Sequence, residues 1–496
     1  MNWKSLFRLL VVIGSLSLAS CSGPTNPCTT NCTSGSAKVT LTIFDTPPTG
    51  TTVLSFSLPI VGISLTPQSG SAVNVYSPSS VQATEITRLQ TDSALIASAV
   101  SVPAGTYTKL NITIAATSGI FINSSSSSIT YTLNGSSTTC LPGAVCNLPA
   151  GAATTVAVPI SLTLNGSQNQ WIGINVNLNN AIVTTGGISV DFTQSNVFTA
   201  TTTTRTGLPS GAVDTIEDFT GKVTALSNNS ITVQNAITGQ SLTAGVVSGS
   251  TELDLAPSNY SGCASANPAL CIVVGSTVSM NATLAADGTL TATEIDGLDV
   301  TAKDEIEGVI YPTTSTGVVG LILLDKTSAS GNSVLGSATY GTGFLLTSTS
   351  NSITYSVDSG PLTTAPGFSP AGFSGVGSLL AGQVVRAQVS NVSVVNNIIQ
   401  ANAVNVLLRW SRISGSVSLI SGNVVTLTGI PTYITTLNPG FTLTPQAITY
   451  TNNTAFDGVT SVSGLTVGGP AAIRALFLDT ATGAQFAFQT AKVRLP

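Results

Sequence analysis

The residues best suited to chemistry in this chain are carboxylates. Glu294, Asp296, Asp299, Asp304, Glu305 and Glu307 fall in one short stretch with Lys303 among them, and Asp214, Glu217 and Asp218 form a smaller group upstream. A hard cation such as Ca²⁺ takes several carboxylate and carbonyl oxygens, which makes Glu294, Asp296 and Asp299 the metal candidates. Paired carboxylates are also the apparatus of glycoside hydrolysis. The spacing fits no established calcium loop, and both groups fall where one segment gives way to the next. A solvated junction is therefore the preferred expectation for them. No other catalytic set is available. The chain has no histidine, which excludes Ser-His-Asp and Cys-His arrangements and any histidine-ligated zinc or iron site. No lysine stands three residues after a serine, and no Gly-x-Ser-x-Gly elbow or phosphate-cradling glycine loop occurs. We expect no catalytic residues and no cofactor.

Cysteine supplies the second kind of chemistry. Lys4 and Arg8 precede an apolar run, Leu9 to Leu18, that ends in Leu18-Ala19-Ser20-Cys21. The run has the length of a secretory signal and is too short to span a bilayer. The pattern resembles the lipobox of bacterial lipoproteins, which implies cleavage before Cys21 and acylation of its thiol. Ser22 in the next position implies an outer-membrane address. Several acyl chains would hold the protein firmly, each buried CH₂ contributing about 0.8 kcal/mol. The other six cysteines form three local pairs, Cys28/Cys32, Cys140/Cys146 and Cys263/Cys271. In an exported chain without histidine these read as disulfide candidates rather than metal ligands.

Composition narrows the partners. Loss of residues 1–20 would leave 13 basic and 20 acidic side chains, a net of −7. A weakly acidic chain with no basic cluster is a poor match for nucleic acid, which demands a positive stripe. Only 7% of residues are charged, so Ser, Thr, Asn, Gln and Gly must make the surface polar. With Val and Ile, that mixture favours strands and tight turns.

Stepping along the chain, residues 21–36 read as a lipidated tether and 37–195 as a β-sandwich of many short strands. Alternating apolar residues mark strands at Lys38–Asp45, Tyr107–Ala115, Ile129–Leu133, Thr155–Leu164, Ile172–Leu178 and Ile188–Phe192. Val81 to Val100 is the best helix candidate. Asp45 precedes Pro47-Pro48 and is expected to cap its own turn. Trp171 and Tyr107 are expected in the core and at a strand corner, and Trp410 in a core. The opening strand ending in Asp45-x-Pro47, the turn Val102-Pro103-Ala104-Gly105-x-Tyr107 and the strand Val156–Leu164 are similar to domain-of-unknown-function family 4382. That resemblance implies a domain and no activity.

After a Thr-rich linker at 196–216, the sequence repeats. Gly221-x-Val223-x-x-Leu226-Ser227-x-Asn229-x-Ile231-Thr232-Val233 matches Gly415-x-Val417-x-x-Ile420-Ser421-x-Asn423-x-Val425-Thr426-Leu427 without a gap, and Gly308-Val309-Ile310 opens a third copy. A second landmark, Gly275-x-x-Val278 and Gly382-x-x-Val385, recurs near Gly469 with a one-residue shift. Closing strands carry Ala292-x-x-Ile295, Ala401-x-x-Val404 and Thr490-x-x-Val493. These define modules at 217–302, 303–410 and 411–496, each expected to close as a small barrel. The arrangement resembles domain-of-unknown-function family 5666, with the third module departing most. The whole reads as an all-β, lipid-anchored envelope protein. The preferred expectation is a non-catalytic binding, adhesion or structural protein with a glycan or protein ligand. The alternative is a carboxylate-dependent polysaccharide hydrolase requiring calcium.

Overall fold

The computed structural model describes residues 35–46, 52–184, 187–255, 272–299, 303–313, 315, 317–347, 353–370, 372–438, 445–479 and 486–495. Cys21, Cys28, Cys32, Cys263 and Cys271 lie outside them.

The N-terminal region is a sandwich. One sheet orders Phe198–Thr201, Asn169–Asn177, Ser36–Thr46 and Ala94–Pro103, with the second and third of these running parallel. The other is seven-stranded and built around Val53–Pro67 and Gly105–Ile114. Val39, Leu41 and Ile43 of the opening strand meet Phe56, Leu58, Leu110 and Ile112 in the core between the sheets. The opposite face of that strand is also covered, since Thr40, Thr42 and Phe44 are buried against the rest of the molecule. Tyr107 forms the expected corner, its hydroxyl donating to the Pro103 carbonyl at 2.8 Å. The Cys140–Cys146 disulfide is present and ties the hairpin of Ile129–Leu133 and Ser136–Cys140 to the edge strand Val145–Asn147.

Two expectations fail here. Residues 81–100 are not a helix. Gln82–Glu85 pairs with the Val53–Pro67 strand, a 3-10 turn covers Ile86–Gln90, and Ala94–Pro103 pairs with the opening strand. Sheet pairing overrides a helical pattern already weakened by Thr and Ser. The linker is also shorter than 196–216, because Phe198–Thr201 completes the sandwich and Ala212–Ser227 opens the next domain.

The three modules that follow share one topology. Barrel 1 consists of Ala212–Ser227, Ser230–Gln234, Ser241–Gly245, Thr277–Ala285 and Leu290–Asp299. In barrel 2 the strands are Glu305–Pro312, Val318–Thr327, Gly343–Thr347, Val384–Val395 and Ile398–Arg409. Barrel 3 is made of Ser411–Ser421, Val424–Thr428, Gln446–Thr449, Pro470–Asp479 and Phe486–Arg494. In each, the spatial order is third, second, first, fourth, fifth, and the third and fifth strands close the ring in parallel. This is the connectivity of the five-stranded Greek-key barrel known as the OB-fold.

The repeat motif has a steric cause. A Cβ added at Gly221, Gly308 or Gly415 would come within 2.1, 2.1 and 2.6 Å of the carbonyl oxygen of Gln234, Ile322 and Thr428 respectively. The first strand coils so tightly onto the second at this point that only glycine fits. The second landmark is Gly275, Gly382 and Gly468, all with positive φ near +90°. Each donates its amide to the residue two beyond the first glycine, namely Val223, Ile310 and Val417, at 2.8, 3.0 and 2.7 Å. The third copy is thus anchored on Gly468 rather than Gly469 and needs no shift. The closing motif of barrel 2 moves likewise. Val406, fully buried opposite Ala387, is the counterpart of Ile295 and Val493, whereas Val404 is 41% exposed. The slip of two residues keeps the same face, so period-two alternation alone could not reveal it.

Candidate functional site

Three positions before its repeat glycine, the first strand of every barrel carries a charged residue: Asp218, Glu305 or Arg412. Each starts a row across three strands, on the side opposite the apolar lining. In barrel 1 the row is Asp218, Asn281 and Glu294, the Asp218 amide donating to Asn281 Oδ1 at 2.7 Å and Asn281 standing in register with Glu294. In barrel 2 it is Glu305, Gln388 and Asn405. In barrel 3 it is Arg412, Arg474 and Lys492. The equivalent positions run from acidic through mixed to basic, and the acidic row meets the basic one.

Asp218 is the centre of the resulting hub. Arg474 grips it with two bonds, Nε to Oδ2 at 3.0 Å and Nη2 to Oδ1 at 2.9 Å. Arg412 Nη2 lies 2.5 Å from Oδ2 and Arg409 Nη2 3.3 Å from Oδ1. The sandwich enters through Asp92, whose Oδ2 accepts from Arg412 Nε and Nη2 at 2.8 and 2.6 Å. Lys492 Nζ stands 2.6 Å from Glu217 Oε1 and 3.8 Å from Asp92 Oδ1. Barrel 2 joins through Glu307, 3.3 Å from both Arg88 of the sandwich and Arg386. Arg386 also reaches Glu305 at 2.8 Å and Asp325 at 3.2 Å. Arg409 pairs with Asp358 and lies 3.6 Å from Asp296. On the flank, Arg205 bridges Asp214 and Asp457 at 2.6 Å each, and Arg205 and Arg494 both stack over the Phe44 ring. All seven arginines among the described residues belong to this network.

Burying so many charges is costly unless each is paired. Three cations hold Asp218 well below the usual carboxylate range despite its burial, and Asp92 is lowered by Arg412, Lys492 and Arg474. There are not enough cations for every acid. Burial pushes Glu217 and Glu294 up to about 7 and Asp325 up to about 6. Glu294 Oε1 has no hydrogen-bond partner. Asp45 belongs with these rather than with a turn cap. It is buried, neither carboxylate oxygen has an ordinary hydrogen bond, and burial outweighs the Leu178 amide and Arg494 to hold its carboxyl well above the usual range.

The two acidic groups picked out in the sequence do converge, but not as a solvated junction. Asp214, Asp218, Glu294, Asp296, Asp299, Glu305 and Glu307 are all buried. Asp299 accepts from the Lys303 amide at 2.8 Å, and Asp304 accepts from the Ala329 and Ser330 amides. Among the described residues, no group of three or more His, Cys, Asp or Glu side chains is placed to hold a metal ion. The Arg409 guanidinium is shared by Asp218, Asp296 and Asp358. Trp171 and Trp410 are buried as expected. Trp171 donates to Thr42 Oγ1 at 2.9 Å, and Trp410 lies under the Arg474 guanidinium at 4.6 Å. The arginines carry no motif of their own in the sequence. The signal that points to the hub is the charged residue three positions before each repeat glycine, Asp218, Glu305 and Arg412.

Comparison with known proteins adds one domain. No curated sequence matches the chain. A solved structure titled "drosophila Unr CSD456" is 11% identical, covering 55% of this chain and 96% of that one, with a TM-score of 0.13 that carries no argument. Residues 36–195, the body of the sandwich, match the family described as Domain of unknown function (DUF4382), and the N-terminal third of the chain therefore carries that domain.

Proposed function

We propose that this chain is a lipid-anchored, non-catalytic protein of the cell envelope, acylated on Cys21 and exposing a polar, charge-poor β surface to a glycan or protein ligand. The observation that carries the reading is the fate of the charged side chains. Acid–base and metal chemistry needs carboxylates open to substrate or ion, whereas here the clustered carboxylates are closed in by arginines and by four domains. The exterior is left to Ser, Thr and Asn ladders, such as Thr232 with Thr243 at 2.8 Å and Thr113 with Thr155 at 3.0 Å. We further read the barrels as relatives of domain-of-unknown-function family 5666, on the repeat glycines and the second-landmark glycines. No helix among the described residues is long and apolar enough to cross a membrane, and the anchor we propose is Cys21. Metabolic labelling with a clickable fatty acid should label the chain and recover it in membranes, and Cys21→Ala should abolish both. Labelling that survives Cys21→Ala would refute the anchor. Binding of the soluble 22–496 fragment to isolated cell-wall glycans should saturate. Turnover of any polysaccharide by that fragment would instead favour the hydrolase.

A further inference from the structure

The seams between barrels are built differently. Barrels 2 and 3 share apolar packing: Leu380, Ala381 and Val384 cluster with Tyr433, Ile434 and Phe477. Barrels 1 and 3 meet instead through Asp218 and Glu217 against Arg412, Arg474 and Lys492. Among the described residues, no fully buried residue of barrel 1 belongs to the apolar clusters that hold barrel 3, and the half-buried Ile237 packs against one of them.

Around that charged seam the acids outnumber the bases. Asp92, Glu217, Asp218, Glu294, Asp296, Glu305, Glu307, Asp325 and Asp358 face Arg88, Arg386, Arg409, Arg412, Arg474 and Lys492. Three carboxyls must hold protons for the closed hub to be neutral. Burial, set against the charges around each group, favours Glu217, Glu294 and Asp325. Glu217 faces Lys492 and Arg474 from barrel 3 and Asp92 from the sandwich, and Thr215 shares its lysine. Glu294 faces Asn281, Asp218 and Glu252 of its own barrel, Arg474 of barrel 3 and the backbone at Gly360 of barrel 2. Asp325 faces Arg386 and Glu307 of its own barrel, Arg88 of the sandwich and Asn235 of barrel 1. Ionising them puts uncompensated negative charge into a largely buried space, in which Glu217 is only 12% exposed, and separating barrels 1 and 3 is the route that hydrates Glu217 and Glu294 fully without breaking an apolar core.

We propose that the seam between barrels 1 and 3 is a pH-operated latch, closed in mildly acidic medium and loosened in alkaline medium, while the apolar seam between barrels 2 and 3 stays shut. Lys492 reports on it directly, being 3% exposed at the seam. Lys326 is the internal control, buried in barrel 2 with its ammonium donating to the carbonyls of Leu335, Gly336 and Ala338. The test is pulse acylation of the full-length chain read by peptide mass spectrometry, with each lysine normalised to the exposed Lys109. Between about pH 6 and about pH 8.5 the normalised labelling of Lys492 should rise about tenfold, and that of Lys326 should not. The variant combining Glu217→Gln and Glu294→Gln should lose the rise. A flat Lys492 ratio, a parallel rise at Lys326, or an undiminished rise in the double variant would overturn the latch. If the double variant does not fold, the contrast between Lys492 and Lys326 in the unaltered chain decides alone.

Discussion

The two seams of barrel 3 rest on opposite physics. Against barrel 2 it buries Tyr433 and Ile434 beside Gly382, where an added Cβ would meet Ile434 at 2.8 Å, and Gln383 Nε2 donates to the Phe477 carbonyl at 2.7 Å. Against barrel 1 it presents a row of cations to a row of acids. Apolar burial holds whatever the pH, because it depends on area removed from water. A buried ion pair holds only while both partners keep their charge, and losing one partner leaves the other stranded. One barrel thus has a permanent neighbour and a conditional one.

The largest effect should come from breaking the conditional seam at its centre. Asp218→Ala leaves Arg409, Arg412 and Arg474 facing one another in a dry space, and should cost about 3–5 kcal/mol by chemical denaturation. Ile434→Ala in the permanent seam should cost about 2–4 kcal/mol. The distinguishing measurement is its pH dependence: the Ile434→Ala loss should be the same in acid and alkali.

Somewhat smaller is the titration of the intact protein. Glu217 and Glu294 are raised from 4.5 to about 7 and Asp325 from 3.8 to about 6. A carboxyl that binds its proton more tightly when folded supports the fold below its unfolded value, and that support is lost as pH rises through the folded one. Stability should therefore fall between about pH 4.5 and about pH 7. Asp218 and Asp92 act in the other direction, since their lowered values give support present above 3.8 and lost as the medium becomes more acidic. The thermal midpoint should peak between these windows, at about pH 4–5. A midpoint that climbs steadily to pH 8 would contradict this balance.

The smallest effect lies farthest from the hub. Reducing Cys140–Cys146, which closes a short loop at the sandwich edge, should cost about 2 kcal/mol or less. It should not alter the pH profile, which a paired titration of oxidised and reduced protein would check.

Much of the architecture was legible because it follows local rules. Period-two alternation located most sandwich strands, and the repeat glycines located three barrels because the same close approach recurs at Gly221, Gly308 and Gly415. The hub was not legible as a whole. Asp92 meets Arg412 across 320 residues and Asp218 meets Arg474 across 256, separations at which nothing in spacing links the partners. Glu294 and Asp296 read as a solvated junction because their spacing fits no calcium loop and they fall where one module gives way to the next. What covers their face is another domain, not solvent. The helix expected at Val81–Val100 failed for the same reason, its backbone being claimed by strands distant in sequence.

The central claim is that the charged hub makes four domains into one cooperative body, and scanning calorimetry of the unaltered chain beside Asp218→Ala tests it most directly. The account predicts a single transition for the unaltered chain near its acidic optimum. It predicts two for Asp218→Ala, with barrel 1 parting from barrels 2 and 3, which stay joined to each other and to Leu54 and Ile122 of the sandwich by apolar packing. Separate transitions in the unaltered chain, or a single unshifted one in Asp218→Ala, would contradict it.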